Sequence, residues 1–345
     1  MKVLVKTRME NGLELQDVPL PVVKKGHVLV KIAAAGICGS DRHIYEWDEG
    51  RNKLSNNVPF ILGHEGAGVV MEVGSDVKTV REGDHVAFES HIHDNCSFVQ
   101  RGLENICPHK QILGIGSDGV FAEYVAVPHH IIRIVPKNIS LEVAAIFEPA
   151  TIGLRALEEL RLLIPQKPLG QTATIAVFGA TGIMGAVAAL AARWYGFDVI
   201  ALGRDSRKLS VIKLLDPSII THDVSDPDLI AKLSHLTIEG IIETTGADQS
   251  LELGRKILVS AGTWIQIGIF GRESDAYRQL INDFVRREIV FKGVVGRTQR
   301  EWRRIINLVG SGALPLEPLI TDRYNLGSFE EAFKAKEGIK SIFCL

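Results

Sequence analysis

The chain has 345 residues, with 39 basic and 41 acidic side chains, so there is no bulk electrostatic case for a nucleic-acid or anionic membrane partner. That length suggests two domains and is ample for two apolar cores. The opening Met1-Lys2-Val3-Leu4-Val5-Lys6 is too short and too soon interrupted by charge to be expected to act as a signal peptide, and no apolar run approaches a membrane span. The expectation is a cytoplasmic enzyme acting on a small molecule. The four cysteines, at 38, 96, 107 and 344, are too sparse for a secreted disulfide framework and point to metal binding or burial.

Along the first half, residues 28–33 and 68–73 are β-rich, with turns at Gly74-Ser75-Asp76 and Glu82-Gly83-Asp84. Many short irregular strands predict a compact β-rich barrel over residues 1–152. Helical spacing starts near Leu141, at residues 143–145 and 152–161. From Thr172 to about Val295 apolar β runs (174–178, 199–202, 238–243, 263–267, 289–294) alternate with helical segments (185–195, 208–215, 251–258). Continuous apolar runs are the mark of buried parallel strands, so residues 153–295 predict a doubly wound α/β sheet. A helix at residues 300–309 follows. The stretch 296–345 is too short to be a separate domain and is expected to return to the first.

The chemistry lies in three short motifs. Cys38-Gly39-Ser40-Asp41-Arg42-His43, Gly63-His64-Glu65 and Phe147-Glu148-Pro149 supply thiolate, imidazole and carboxylate, the three ligand types zinc takes. A lone Cys is usually a small hydrophobe and a lone His a local hydrogen-bonding group. That bland reading weakens where Cys38 is flanked by glycines and Glu148 sits in an apolar segment, since a carboxylate there is costly unless paired or metal-bound. Asp41 is suited to accept the free ring N–H of His64, and Ser40 and His43 are placed to carry a proton from an alcohol to solvent.

The second signature is Gly179-Ala180-Thr181-Gly182-Ile183-Met184-Gly185, between a strand-like and a helix-like run. A glycine turn in that context lets backbone approach a pyrophosphate at a helix N-terminus, so Gly179, Thr181, Gly182, Ile183 and Met184 are candidate dinucleotide contacts. At the end of the next strand, where NAD-binding proteins place an acid, the chain has Gly203 followed by Arg204, with Arg207 and Lys208 close behind. Guanidinium in place of carboxylate suits a 2′-phosphate and predicts NADP over NAD. The competing reading has Asp205 bonding the ribose, with the basic residues a solvated turn. Zinc together with a nicotinamide means alcohol oxidation or carbonyl reduction.

On these motifs the chain resembles, over essentially its full length, the zinc-containing medium-chain alcohol dehydrogenase superfamily. Ile37-Cys38-Gly39-Ser40-Asp41, His43-Ile44-Tyr45, Trp47-Asp48-Glu49 and Ala145-Ile146-Phe147-Glu148-Pro149 are similar to its L-threonine 3-dehydrogenase branch. The resemblance implies a GroES-like catalytic domain and a Rossmann domain, with one catalytic zinc held by Cys38, His64 and Glu148 and with Glu65 in or beside its shell. It also implies a proton relay from Ser40 through the coenzyme ribose to His43, His91 near the substrate, and a homodimer or homotetramer. Residues 263–269 and 289–294 are candidate subunit contacts, unless they are ordinary core strands.

Relatives carry a four-cysteine lobe for a structural zinc. The matching positions here are His93, Cys96, Val99 and Cys107, and valine cannot ligate. No structural zinc is expected, the alternative being completion by Asp94 or His91. After the Glu-Pro pair this chain has Ala150-Thr151-Ile152-Gly153-Leu154-Arg155 in place of the branch's Gly-Asn-Ala type segment, and an NADP preference is atypical there. The leading expectation is therefore a threonine-dehydrogenase-like enzyme interconverting a secondary alcohol and a ketone, with a polyol or sugar-alcohol dehydrogenase as runner-up. The glycine run is similar to zinc-free quinone reductases, and an idle NADPH-binding relative is a further alternative. The ligand set of Cys38, His64, Glu65 and Glu148 counts against both.

Overall fold

The computed structural model describes every residue except 49–57, 94–95, 169 and 270–274, together with the backbone alone of 275–278. It forms two compact units. The first holds Met1–Pro149, Thr298–Ser311 and Ile320–Leu345, and the second holds Ala150–Arg297 and Gly312–Leu319.

The first unit is built from short strands. In chain order these are β1 (Lys2–Lys6), β2 (Glu14–Asp17), β3 (His27–Gly36), helix α1 (Gly39–Glu46), β4 (Phe60–Ile61), β5 (Glu65–Val73), β6 (His85–Phe88) and β7 (His91–Ile92). There follow helix α2 (Ser97–Gln100), β8 (Gln111–Ile112), β9 (Tyr124–Pro128), β10 (Ile132–Ile134) and helix α3 (Leu141–Ala145). Helix α4 (Phe147–Leu163) carries the chain into the second unit, with Pro149 in its first turn, where no N–H is needed.

β3 is central and almost wholly buried, pairing with β5 and β9. Its small residues Ala33-Ala34-Ala35-Gly36 and its register shifts against β5 let the strands close tightly. A methyl group at Gly36 would overlap Glu65 Oε2, so only glycine leaves room for that carboxylate. Val28, Val30, Ile32, Phe88, Phe121 and Phe343 lie in the core between these strands.

The second unit contains β11 (Thr174–Phe178), α5 (Ile183–Trp194), β12 (Asp198–Gly203), α6 (Ser206–Leu215), β13 (Ile220–Asp223) and α7 (Leu229–Leu233). It continues with β14 (Ile238–Glu243), α8 (Asp248–Ile257), β15 (Leu258–Gln266), α9 (Asp275–Arg286) and β16 (Val290–Gly293). All neighbours in its six-stranded sheet are parallel, in the order β13-β12-β11-β14-β15-β16. Strand order reverses between β11 and β14, and in such sheets the crevice at the carboxyl ends of the strands at that point receives the ligand.

Several details differ from the sequence expectation: helix α9 was not expected, and residues 312–319, placed with the returning segment, belong to the second unit. β15 begins at Leu258, where residues 263–267 were expected, because the Ser260-Ala261-Gly262 stretch, with Ala261 at φ 58°, bends the strand without ending it. β13 and α7, four and five residues long, are too short to show a period.

The chain then returns through α10 (Gln299–Gly310), β17 (Ile320–Tyr324), α11 (Phe329–Lys334) and β18 (Lys340–Cys344). α10 starts on a capping box, with Thr298 as N-cap and Glu301 reaching back to its N–H. β18 pairs antiparallel with β3, beside the segment that leads to Cys38. Among the described residues no helix is long and apolar enough to cross a membrane.

Candidate metal and coenzyme sites

Three side chains of the first unit converge. Single ligand atoms of Cys38, His64 and Glu65 all lie within 4.8 Å of one another. Cys38 is the N-cap of α1, and its backbone N–H donates to Asp41 Oδ2 at 2.8 Å. The other Asp41 oxygen, Oδ1, lies 3.4 Å from His64 Nδ1. One buried carboxylate therefore lies against two of the three groups, Cys38 through its backbone and His64 through its ring. His64 and Glu65 lie at the start of β5, directly across from the end of β3.

The electrostatics favour a cation here. Glu65 is fully buried, and its Oε1 has no hydrogen-bond partner among the described residues. Burial and the nearby Glu148 charge raise the Glu65 carboxyl above its ordinary range, outweighing Lys340 and His64. Burial disfavours the His64 imidazolium, yet Asp41 and Cys38 overcome this and hold its pKa well above the usual value. Sulfur, nitrogen and carboxylate oxygen at this spacing suit zinc, whose bonds to them are about 2.0–2.3 Å.

Sequence reasoning missed Lys340. Its ammonium pairs with Glu65 Oε2 and donates to Ile37 O at 2.8 Å. The signal available was a lysine inside the apolar run 339–343. Glu148, in the first turn of α4, lies outside the three-residue cluster and accepts a hydrogen bond from Ser90 Oγ at 3.1 Å. Ser40 is half-buried in the first turn of α1, while His43 is exposed, with Nδ1 held 2.8 Å from Asp48 Oδ2. His91 is buried, with Nδ1 3.8 Å from Glu89 Oε1, and Glu89 also accepts from the Trp302 indole.

In the lobe between β7 and β8, Cys96 and Cys107 lie sulfur to sulfur, and the His93 ring faces the His130 ring with centroids 5.2 Å apart. Val99 is in α2. Asp94 and Glu49, named above, lie outside the described residues.

In the second unit the glycine run forms a tight turn. Gly179 has φ +78°, and its N–H and that of Ala180 both donate to Leu202 O, at 3.0 and 3.1 Å. Gly182 is the N-cap of α5, and Ile183 and Met184 open the helix, so its free N–H groups face the turn. A methyl group at Gly185 would overlap Gly179 O, which is why helix and turn can lie in contact.

Gly203 is buried beneath Thr181, whose methyl group occupies the space a side chain there would need. Arg204 is exposed. Asp205 Oδ1 caps α6, accepting from Arg207 N at 2.9 Å and Lys208 N at 3.3 Å, while Oδ2 pairs with Arg207 at 3.5 Å. Beside the turn, buried Glu243 accepts from Thr245 N (2.8 Å), Thr245 Oγ1, Gly246 N (2.9 Å) and Gln266 Nε2. A Cβ on Gly179 would strike Thr244 and Thr245, so Glu243 braces the turn from below. This glutamate, too, was hidden at the end of an apolar run.

Residues 24–137 match the family described as "Alcohol dehydrogenase GroES-like domain", and residues 184–311 match "Zinc-binding dehydrogenase". An L-threonine 3-dehydrogenase of Bacillus velezensis is 32% identical over 340 residues, covering 96% of this chain and 94% of that protein. Galactitol-1-phosphate dehydrogenase from Escherichia coli superposes with TM-score 0.88 at 26% identity, covering 100% of both chains. A zinc-binding dehydrogenase from Sinorhizobium meliloti 1021 bound to NADP superposes with TM-score 0.85 at 25% identity, covering 100% of this chain and 99% of that one.

Together the fold and the cluster define a zinc-type alcohol dehydrogenase. The chain belongs to the zinc-containing medium-chain alcohol dehydrogenase superfamily, and it is an oxidoreductase acting on CH–OH groups that uses a nicotinamide coenzyme.

Proposed function

We propose that this enzyme interconverts a secondary alcohol and its ketone, in the manner of an L-threonine 3-dehydrogenase, with NADP as the preferred coenzyme. The observation that carries the metal part is the convergence of Cys38, His64 and Glu65. The ion would be held by Cys38 and His64, with Glu65 and Glu148 as the carboxylates: Glu65 already stands in the cluster, and Glu148 is near enough for its charge to act on Glu65. Once bound, zinc would supply Lewis-acid polarisation of the substrate oxygen and the nicotinamide would take or give hydride.

The chain's own residues do the rest. Asp41 fixes the His64 ring and the Cys38 backbone. Lys340 offsets the charge of Glu65. Ser40 takes the proton from the substrate hydroxyl, and exposed His43, oriented by Asp48, delivers it to solvent.

Two features support NADP. Thr181 fills the place of the expected acid, and Asp205, the rival ribose ligand, is already engaged in capping α6. Arg204 is then free to approach a 2′-phosphate. The substrate is argued from the motif around Cys38 and from the threonine-dehydrogenase relative. A polyol substrate is the second reading, favoured by the departure at residues 150–155 and by the structural likeness to a sugar-alcohol phosphate dehydrogenase.

Turnover of L-threonine and of sorbitol-like polyols with NADP and NAD tests these assignments together. Reduction of NADP by L-threonine is expected. Polyol-only activity would move the assignment to the second reading, and a clear NAD preference would reject the coenzyme assignment. Cys38→Ser should lose both zinc and turnover, and full activity in that variant would remove the metal mechanism.

A further inference from the structure

The lobe between β7 and β8 carries two cysteines that the proposed reaction does not use. Cys96 is half-buried at the N-terminus of α2 and Cys107 is buried at the end of a short 3-10 turn (Glu104–Ile106), yet their sulfurs stand 3.0 Å apart. A disulfide bond is about 2.05 Å long, so closure needs about 1 Å of travel.

The donor set does not suit a metal. A closed zinc site takes four ligands, and the helix between these cysteines offers Val99. His93 packs against the His130 ring, its buried Nδ1 without a hydrogen-bond partner among the described residues. Among the described residues, the only group of three ligands within 4.8 Å of one another is that of Cys38, His64 and Glu65.

We propose that Cys96 and Cys107 form a reversible disulfide that closes the lobe covalently, with a hydroperoxide as the oxidant. Cys96 is the more accessible sulfur and acts first. The neighbouring Cys107 thiol, together with backbone N–H groups of Val99 and Phe98, holds the Cys96 thiol below its usual range. As thiolate it attacks the peroxide oxygen; an S–O bond forms, the O–O bond breaks, and the leaving oxygen takes a proton and departs as alcohol or water. The Cys107 sulfur then attacks the Cys96 sulfur. The S–S bond forms, the S–O bond breaks, and hydroxide leaves as water with the Cys107 proton. Two thiols are oxidised by two electrons and one hydroperoxide is reduced.

The bond would fasten a lobe that already anchors a distant helix. Glu104, between the two cysteines, accepts from Gln299 N at 2.8 Å at the start of α10, and Trp302 of that helix donates to Glu89 next to β7. The inference stands apart from the substrate and coenzyme assignments, since it uses neither.

The test treats the full-length, zinc-loaded enzyme with hydrogen peroxide and maps it by mass spectrometry without reduction, then with a dithiol reductant. A peptide pair joined through Cys96 and Cys107, about 2 Da lighter than the two free peptides and separated by the reductant, is expected. Cys96→Ser, at the half-exposed position, should fold and abolish the joined pair even if Cys107→Ser does not fold. Alkylation of both thiols in full after peroxide would overturn the proposal. So would a second zinc per chain in the untreated enzyme that Cys96→Ser loses, since the pair would then be a metal site.

Discussion

At the scale of single residues, the Cys38, His64 and Glu65 cluster leans on two buried charges: Asp41, which the sequence pointed to, and Lys340, which it did not. Asp41 orients both Cys38 and His64. Asp41→Asn should weaken zinc binding about 10–100-fold in chelator competition. Lys340→Met would leave the Glu65 carboxylate buried without its counter-charge, a loss of about 3–5 kcal/mol in the metal-free protein by denaturant unfolding, and a smaller loss with zinc bound. An unchanged unfolding midpoint would deny Lys340 this role. pH acts through His64. Its pKa in the metal-free fold is raised, so the folded chain binds a proton more tightly than the unfolded chain does. That stabilisation is complete below the unfolded value of about 6.5 and is lost as pH rises through the folded value. Zinc needs the neutral ring, so its uptake releases this proton. This proton alone should lower zinc affinity by about tenfold per pH unit on acidification below the folded pKa, with any proton released from the Cys38 thiol adding to the slope, as read by competition with a chelator of known proton affinity.

At the scale of elements, the doubly wound sheet was legible because its strands are continuous apolar runs and its helices carry amphipathic spacing. Thr174–Phe178, Ile183–Trp194 and Asp198–Gly203 fall on the expected positions. The brace beneath the glycine turn was not legible. Glu243 follows three apolar or small residues, Gly240-Ile241-Ile242, and nothing local shows that Thr245, Gly246 and Gln266 will all donate to it, because Gln266 arrives from a different strand. Glu243→Ala would leave these buried donors unpaired, each costing about 1–3 kcal/mol. The expected result is a lower thermal midpoint and coenzyme binding weakened more than tenfold, followed by quenching of protein fluorescence. Tight binding with only the midpoint lowered would make Glu243 a stabiliser of the sheet alone. In the first unit the short strands were expected but not their partners, since β3 pairs with β18 from the far end of the chain.

At the scale of the whole molecule, the expected homodimer or homotetramer bears on the outer strand β16. β15 is interior, with Trp264 and Ile265 wholly buried, whereas Val290 and Phe291 on β16 are 39% and 41% exposed. Phe291→Glu should yield monomers by light scattering if that edge is the contact; an unchanged mass would place the interface elsewhere.

The amino-acid sequence alone determined the kinds of ligand, the glycine turn and the alternation of strand and helix, because ligand type, turn geometry and burial period are local properties. Tertiary structure decided what stands around them: which glutamate joins Cys38 and His64 in the cluster, that Lys340 neutralises it, and that Cys96 and Cys107 meet. Those outcomes depend on strand pairing and loop closure between residues far apart in the chain, which no window of neighbouring residues encodes.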